Sequence, residues 1–140
     1  MIQILLIEDN LGDIRLAEEA LSESKLRLQL SVVRDGQAAL NYLNQTGDFE
    51  DVPRPDLILL DLNLPKYSGK EVLAYIKSRA ELKHIPVVVL TSSQAEEDIV
   101  ESYRLYANCY ISKPLDFDQF IKVVKSIESF WFSIVKLPRG

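Results

Sequence analysis

The sequence contains a single cysteine, Cys109, so it can form no intramolecular disulfide, and that usage fits a reducing compartment. Its single histidine, His84, leaves no His/Cys cluster with zinc-ligand spacing. No apolar run approaches the roughly 18 residues that a membrane-spanning helix needs. The first run, Ile4-Leu5-Leu6-Ile7, has no basic residues ahead of it and passes at once into Glu8 and Asp9, which is not the form of a secretory signal. The expectation is therefore a cytoplasmic protein with no membrane partner. Basic residues are also in deficit. Sixteen Lys+Arg against 21 Asp+Glu give a net charge of −5, a poor match for direct nucleic-acid binding. Glycine is sparse where a phosphate-cradling loop would need it. Asn10-Leu11-Gly12-Asp13 holds one glycine and an acid where phosphate would sit, which argues against a P-loop or dinucleotide site. There are no internal repeats and no low-complexity tracts.

What remains is ordinary globular chain: 140 residues, 47% hydrophobic and 26% charged, enough for one domain over residues 1–140 with a full core. Five apolar runs recur, at Ile2–Ile7, Leu26–Val33, Asp56–Leu62, Ile85–Thr91 and Cys109–Ser112. The segments ILLI, LILL and VVVL are continuously apolar and suit strands covered on both faces. The second run alternates, with Arg27, Gln29 and Ser31 between apolar residues, and reads as an edge strand. Helical spacing fills the gaps, over Asn10–Ser24, Asp35–Gln45, Ser68–Arg79, Ser93–Ala107 and Asp116–Phe132. Ser68 with Glu71, Ser93 with Glu96, and Asp116 with Gln119 carry the spacing of helix-start capping pairs. Strict alternation of strand and helix predicts an α/β fold, a parallel sheet with right-handed crossovers and helices on both faces. Gly47–Pro55 is the longest irregular connection.

In such a sheet every strand C-terminus lies on one edge, and ligands bind outside it. The first strand runs into Glu8-Asp9, the third into Asp61-Leu62-Asn63, the fourth into Thr91-Ser92 and the fifth into Lys113-Pro114. Singly, each has an ordinary explanation: strand ends, turn formers and caps are rich in such residues. Together, they bring three carboxylates, a hydroxyl and an ammonium to one edge. Three close carboxylates repel unless a cation sits among them, and an all-oxygen set suits Mg²⁺. A strand-end carboxylate there can act as a nucleophile toward phosphorus, with Mg²⁺ and Lys113 offsetting charge on the phosphoryl oxygens and Thr91 donating a hydrogen bond.

The constellation resembles the receiver domain of two-component response regulators. The residues that carry the resemblance are Glu8-Asp9, Asp61 within DLNLPKYSG, Thr91-Ser92, and Tyr110-Ile-Ser-Lys113-Pro114, from about Ile2 to near Phe130. The resemblance implies a flavodoxin-like five-stranded parallel sheet of order 2-1-3-4-5 with five helices. It also implies that Asp61 is the phosphoacceptor for a histidine kinase. Glu8, Asp9, the Asp61 carboxylate and the Asn63 backbone carbonyl would hold Mg²⁺. Lys113 would contact the phosphoryl group, joined by a typically cis peptide to Pro114. Thr91 and Tyr110 would form a switch pair that reshapes the face of the fourth helix, fifth strand and fifth helix.

The opening IEDN-x-GD-x-R-L, the Gly47–Pro55 loop and YANCYISKP look like the small stand-alone regulators of cyanobacterial and bacterial phytochromes. That similarity implies a photoreceptor histidine kinase as donor and a protein that forms a homodimer. The chain departs from the general receiver pattern at Tyr106-Ala107, where many receivers have Gly-Ala. Tyr103 and Tyr106 therefore join Phe130, Trp131 and Phe132 of an aromatic extension over about 130–140 as candidate partner surface, the alternative for the extension being completion of the core. Two other functions compete. A phosphatase-like hydrolase would use the same Asp and Mg²⁺, but needs a second acid where Asn63 stands. A phosphorylation-independent pseudo-receiver would lack Asp61, Lys113 or the acidic pair, and all are present.

Overall fold

A computed structural model describes residues 1–66, 68–91, 109–113 and 116–136, with side chains described except those of Thr91, Cys109, Ser112 and residues 130–136. Its strands are β1 (Ile2–Ile7), β2 (Leu28–Val33), β3 (Leu57–Asp61), β4 (Val87–Thr91) and β5 (Cys109–Ser112). All pair in parallel, in the order β2-β1-β3-β4-β5, which is the predicted sheet, with the alternating strand at its edge. Four α-helices lie among the described residues: α1 (Leu11–Ser22), α2 (Gly36–Asn44), α3 (Gly69–Ser78) and α4 (Phe117–Lys136). The helix expected at Ser93–Ala107, which would make a fifth, falls outside the described residues, as do Tyr103, Tyr106 and Pro114.

The helix starts follow local chemistry. Asn10 and Asp35 accept hydrogen bonds from the backbone N–H groups of Asp13 and Ala38, at 3.0 and 2.7 Å, so each caps rather than begins its helix. Ser68 and Glu71 form the expected reciprocal capping box. Asp116 Oδ1 accepts from the N–H groups of Asp118 and Gln119. Two details differ from expectation. The irregular Gly47–Pro55 connection contains a short 3₁₀ turn at Gly47–Phe49, and the last helix continues four residues beyond Phe132. α4 runs unbroken to Lys136, because no proline or glycine interrupts the chain before Pro138.

The sheet divides the core by the two-residue period of its strands. Leu5, Ile7, Ile58, Leu60, Val87 and Val89 face one way and pack with Leu43, Val72, Leu73 and Ile76 of α2 and α3. Ile4, Leu6, Leu57, Leu59, Val88, Leu90 and Ile111 face the other way, onto Ile14, Ala17 and Leu21 of α1 and Phe120, Val124 and Ile127 of α4. Both faces are therefore covered, as continuous apolar strands require.

Candidate functional site

The same alternation builds the site. Glu8, Asp61 and Lys113 stand two residues beyond Leu6, Leu59 and Ile111, all of which face the α1/α4 side. The parallel register pairs Ile7 with Leu60, Asp61 with Leu90 and Leu90 with Ile111, so the three polar side chains emerge together at the C-terminal edge. Glu8 and Asp61 are the buried charged residues of the described chain, at 0% and 1% exposure.

Lys113 sits at the centre. Its Nζ lies 2.7 Å from Glu8 Oε1, 3.0 Å from Asp13 Oδ2 and 3.2 Å from Asp61 Oδ2. The other oxygens of the two buried acids are held by backbone. Glu8 Oε2 accepts from the N–H groups of Asp9 and Asn10 at 3.1 and 3.2 Å, and Asp61 Oδ1 accepts from the Asn63 N–H at 3.0 Å. Asp9 is more exposed than Glu8 or Asp61, and Arg34 donates to its backbone carbonyl at 3.1 Å.

This crowding shifts the titration of the cluster. Burial, reinforced by a shared hydrogen bond and charge repulsion with Asp61, pushes the Glu8 carboxyl up from 4.5 to about 7, against the opposing pull of Lys113. Burial alone would lower Lys113, but the close carboxylates of Glu8, Asp13 and Asp61 hold it above the usual lysine range.

The donor set fits a hard divalent cation. One carboxylate oxygen each from Glu8, Asp9 and Asp61 lies within 4.8 Å of the others. Glu8 Oε1 is fully buried and makes no aligned hydrogen bond, its contact with Lys113 being an ion pair by distance alone. A cation held by these carboxylates would offset the buried negative charge and relieve the repulsion that raises Glu8.

Of the residues singled out by sequence, the structure brings Glu8, Asp9, Asp61 and Lys113 together, with the Asn63 amide beside them. Thr91 ends β4, but its side chain lies outside the described atoms. Tyr110 is partly buried and packs against the α2/α3 core, on the opposite face of the sheet from Asp61. Phe130, Trp131 and Phe132 lie on α4, their side chains outside the described atoms. Sequence reasoning missed the structural parts played by Asp13 and Gly69. Asp13 was visible as an acid in the first turn of α1, four residues after Asp9, but only its 3.0 Å contact places it on Lys113. Gly69 donates its N–H to the Leu62 carbonyl at 3.0 Å and brings α3 onto the end of β3.

A five-stranded parallel sheet that gathers an acidic trio and a lysine at its C-terminal edge is the architecture of a receiver domain. The chain belongs to the response regulator receiver domain family, whose model matches residues 4–125. It is 52% identical over 135 residues to the response regulator Rcp1 of Synechocystis sp., covering 96% of this chain and 92% of that protein. The Mn²⁺-bound crystal structure of Rcp1 superposes with a TM-score of 0.83 at 50% identity, over 99% of this chain and 100% of that one. The phosphorylated cyanobacterial phytochrome response regulator RcpA matches with a TM-score of 0.82 at 53% identity, over 98% of both chains. A bacteriophytochrome response regulator, AtBRR, matches at 43% identity with a TM-score of 0.80, over 100% of this chain and 99% of that one. Among the described residues, no helix is long and apolar enough to cross a membrane.

Proposed function

We propose that this chain is a response regulator that accepts a phosphoryl group on Asp61 from a histidine kinase in a Mg²⁺-dependent reaction. The observation that carries this is the surroundings of the Asp61 carboxylate. It is buried at the end of β3, with Lys113 Nζ 3.2 Å from one oxygen, the Asn63 N–H on the other, and the Glu8 and Asp9 carboxylates within 4.8 Å. In the reaction an Asp61 oxygen forms a bond to phosphorus as the phosphohistidine P–N bond breaks, and the electron pair leaves with the imidazole. Glu8, Asp9, Asp61 and the Asn63 backbone carbonyl would hold Mg²⁺, which would supply charge neutralisation for the phosphoryl oxygens. The Lys113 ammonium contributes the second positive charge, and its raised pKa keeps it protonated through neutral pH. The phosphatase-like alternative would need a general acid at Asn63, whose amide side chain cannot supply a proton.

The kinase is of the phytochrome photoreceptor class, a reading supported by the likeness to RcpA and to the bacteriophytochrome regulators. The protein acts in the cytoplasm. Phosphorylation adds about −1.5 to −2 charges at Asp61 and draws the Thr91 hydroxyl toward it, and Tyr110 repacks against the sheet. The changed surface of β5 and its flanking segments, including Tyr103 and Tyr106 and the last turns of α4 with Phe130, Trp131 and Phe132, then engages a second copy of the chain.

Acetyl phosphate and Mg²⁺ followed by intact-mass measurement test the assignment. The wild type is expected to gain one phosphate that chelation of Mg²⁺ prevents, and Asp61→Asn to gain none. An adduct that persists in Asp61→Asn overturns it.

A further inference from the structure

The Lys113 ammonium has three N–H donors and three carboxylates within 3.2 Å: Glu8, Asp13 and Asp61. Two of those acids, Glu8 and Asp61, belong to the trio that converges on a cation position, and Asp13 does not. A cation there competes with Lys113 for the oxygens of Glu8 and Asp61. Its charge would repel the ammonium, and the flexible four-carbon stem of the lysine would let it swing outward unless another carboxylate held it. Among the described residues, Asp13 is the remaining acid in contact with the Lys113 ammonium. It is fixed in the first turn of α1, where its own N–H donates to the Asn10 cap at 3.0 Å, and its side chain is only 17% exposed.

We propose that Asp13 is a positioning residue for Lys113: it keeps the ammonium beside Asp61 when a divalent cation occupies the Glu8–Asp9–Asp61 cluster. In the observed arrangement the three carboxylates share the lysine. With the cation present, the ammonium rests on Asp13, charged, close to Asp61 and ready to donate to an incoming phosphoryl oxygen. The division of labour is physical. Glu8 and Asp61 serve the metal, Asp13 serves the lysine, and the short turn Asn10–Asp13 sets the distance between the two sites. The consequence for rate rests on the reading of Asp61 as phosphoacceptor; the consequence for the lysine itself does not.

The test has two arms. In protein labelled with ¹⁵N-lysine, the Lys113 Nζ resonance is identified by its absence from Lys113→Arg. A buried, hydrogen-bonded ammonium exchanges slowly with water and gives an observable signal. The signal is expected in wild type with and without saturating Mg²⁺. In Asp13→Asn it is expected without metal, where Glu8 and Asp61 remain, and lost when Mg²⁺ is added. Asp13→Glu, which keeps the charge, should restore it. Retention of the signal in Mg²⁺-loaded Asp13→Asn, or its loss from Mg²⁺-loaded wild type, overturns the proposal. So does the lack of a protected signal in metal-free wild type.

The second arm measures the rate of phosphorylation by acetyl phosphate at saturating Mg²⁺. Asp13→Asn is expected to slow it about tenfold, the scale of one lost hydrogen bond to a charged group. In a Lys113→Ala background the same substitution should have no further effect, because Asp13 acts through the lysine. Additive losses overturn the proposal. A wild type that takes up no phosphate defeats the phosphoacceptor reading instead, and the resonance arm still decides the role of Asp13.

Discussion

Gly69 and Asp61 are in backbone contact: a Cβ placed on Gly69 would stand 2.2 Å from the Asp61 carbonyl oxygen and 2.4 Å from Leu62 Cα. Both obstacles are main chain, so no rotamer change can relieve them. Any side chain here must push α3 away from the end of β3, and with it the loop whose Asn63 N–H holds the Asp61 carboxylate. Gly69→Ala is expected to destabilise the protein by about 1–3 kcal/mol or more, the range of overpacked cores. A denaturant melt checks this, and Mn²⁺ titration of the folded fraction should show weakened binding. A Gly69→Ala protein with unchanged midpoint would mean that the approach is not tight.

The titration of Glu8 predicts how stability depends on pH when metal is removed by chelation. Its folded pKa of about 7 lies above the unfolded 4.5, so the native state holds the proton over a range where the unfolded chain has released it. No penalty exists below about 4.5. The penalty grows between about 4.5 and 7 and is complete above, so this group makes the fold less stable as pH rises. Glu8→Gln removes the dependence. Its stability relative to wild type should rise with pH across that window, by on the order of 3 kcal/mol in total. Urea midpoints at pH 5, 6, 7 and 8 with chelator would test it; a constant difference rules it out.

Lys113 is the positive charge that the buried acids share, and taking it away should expose their repulsion. Lys113→Met is expected to lose about 3–5 kcal/mol of metal-free stability at neutral pH, the scale of one partner removed from a buried ion pair. Millimolar Mg²⁺ or Mn²⁺ should recover a larger share in this variant than in wild type, because the cation replaces the missing charge and meets no competing ammonium. Thermal melts with and without metal provide the comparison, and equal metal-induced shifts would contradict it.

Among the described residues Phe120 is the largest fully buried side chain, and it fastens α4 to the α1 side of the sheet. Phe120→Ala is expected to cost about 3–5 kcal/mol. Denaturant melts measure the loss; a cost below 1 kcal/mol would show that the second core cluster closes readily around the vacancy.

Much of this architecture was legible in the order of residues. The runs ILLI, LILL and VVVL announce strands buried on both faces, because nothing polar interrupts them and the backbone must be covered on each side. Caps at Ser68 and Asp116 mark helix starts through hydrogen bonds that reach only three residues. α4 was underestimated because a run of apolar and aromatic residues blurs the helical stripe where a core helix passes into a further segment.

The identities of Glu8, Asp9, Asp61 and Lys113 as a set were determined by sequence, since each follows an apolar run and parallel strands align their ends. Which of them touch was decided only by the tertiary structure. Strand register and the two-residue period bring Glu8, Asp61 and Lys113 onto one face, and crossover packing brings the first turn of α1 beside them. Asp13 and Gly69 show why the distinction exists. Neither contact is local in sequence: the Asp13 side chain meets Lys113 across 100 residues, and the Gly69 backbone lies against the Asp61 carbonyl across a loop. Local rules reach three or four residues along the chain, whereas Coulomb attraction and steric contact act through space, and only the folded sheet says which residues share that space.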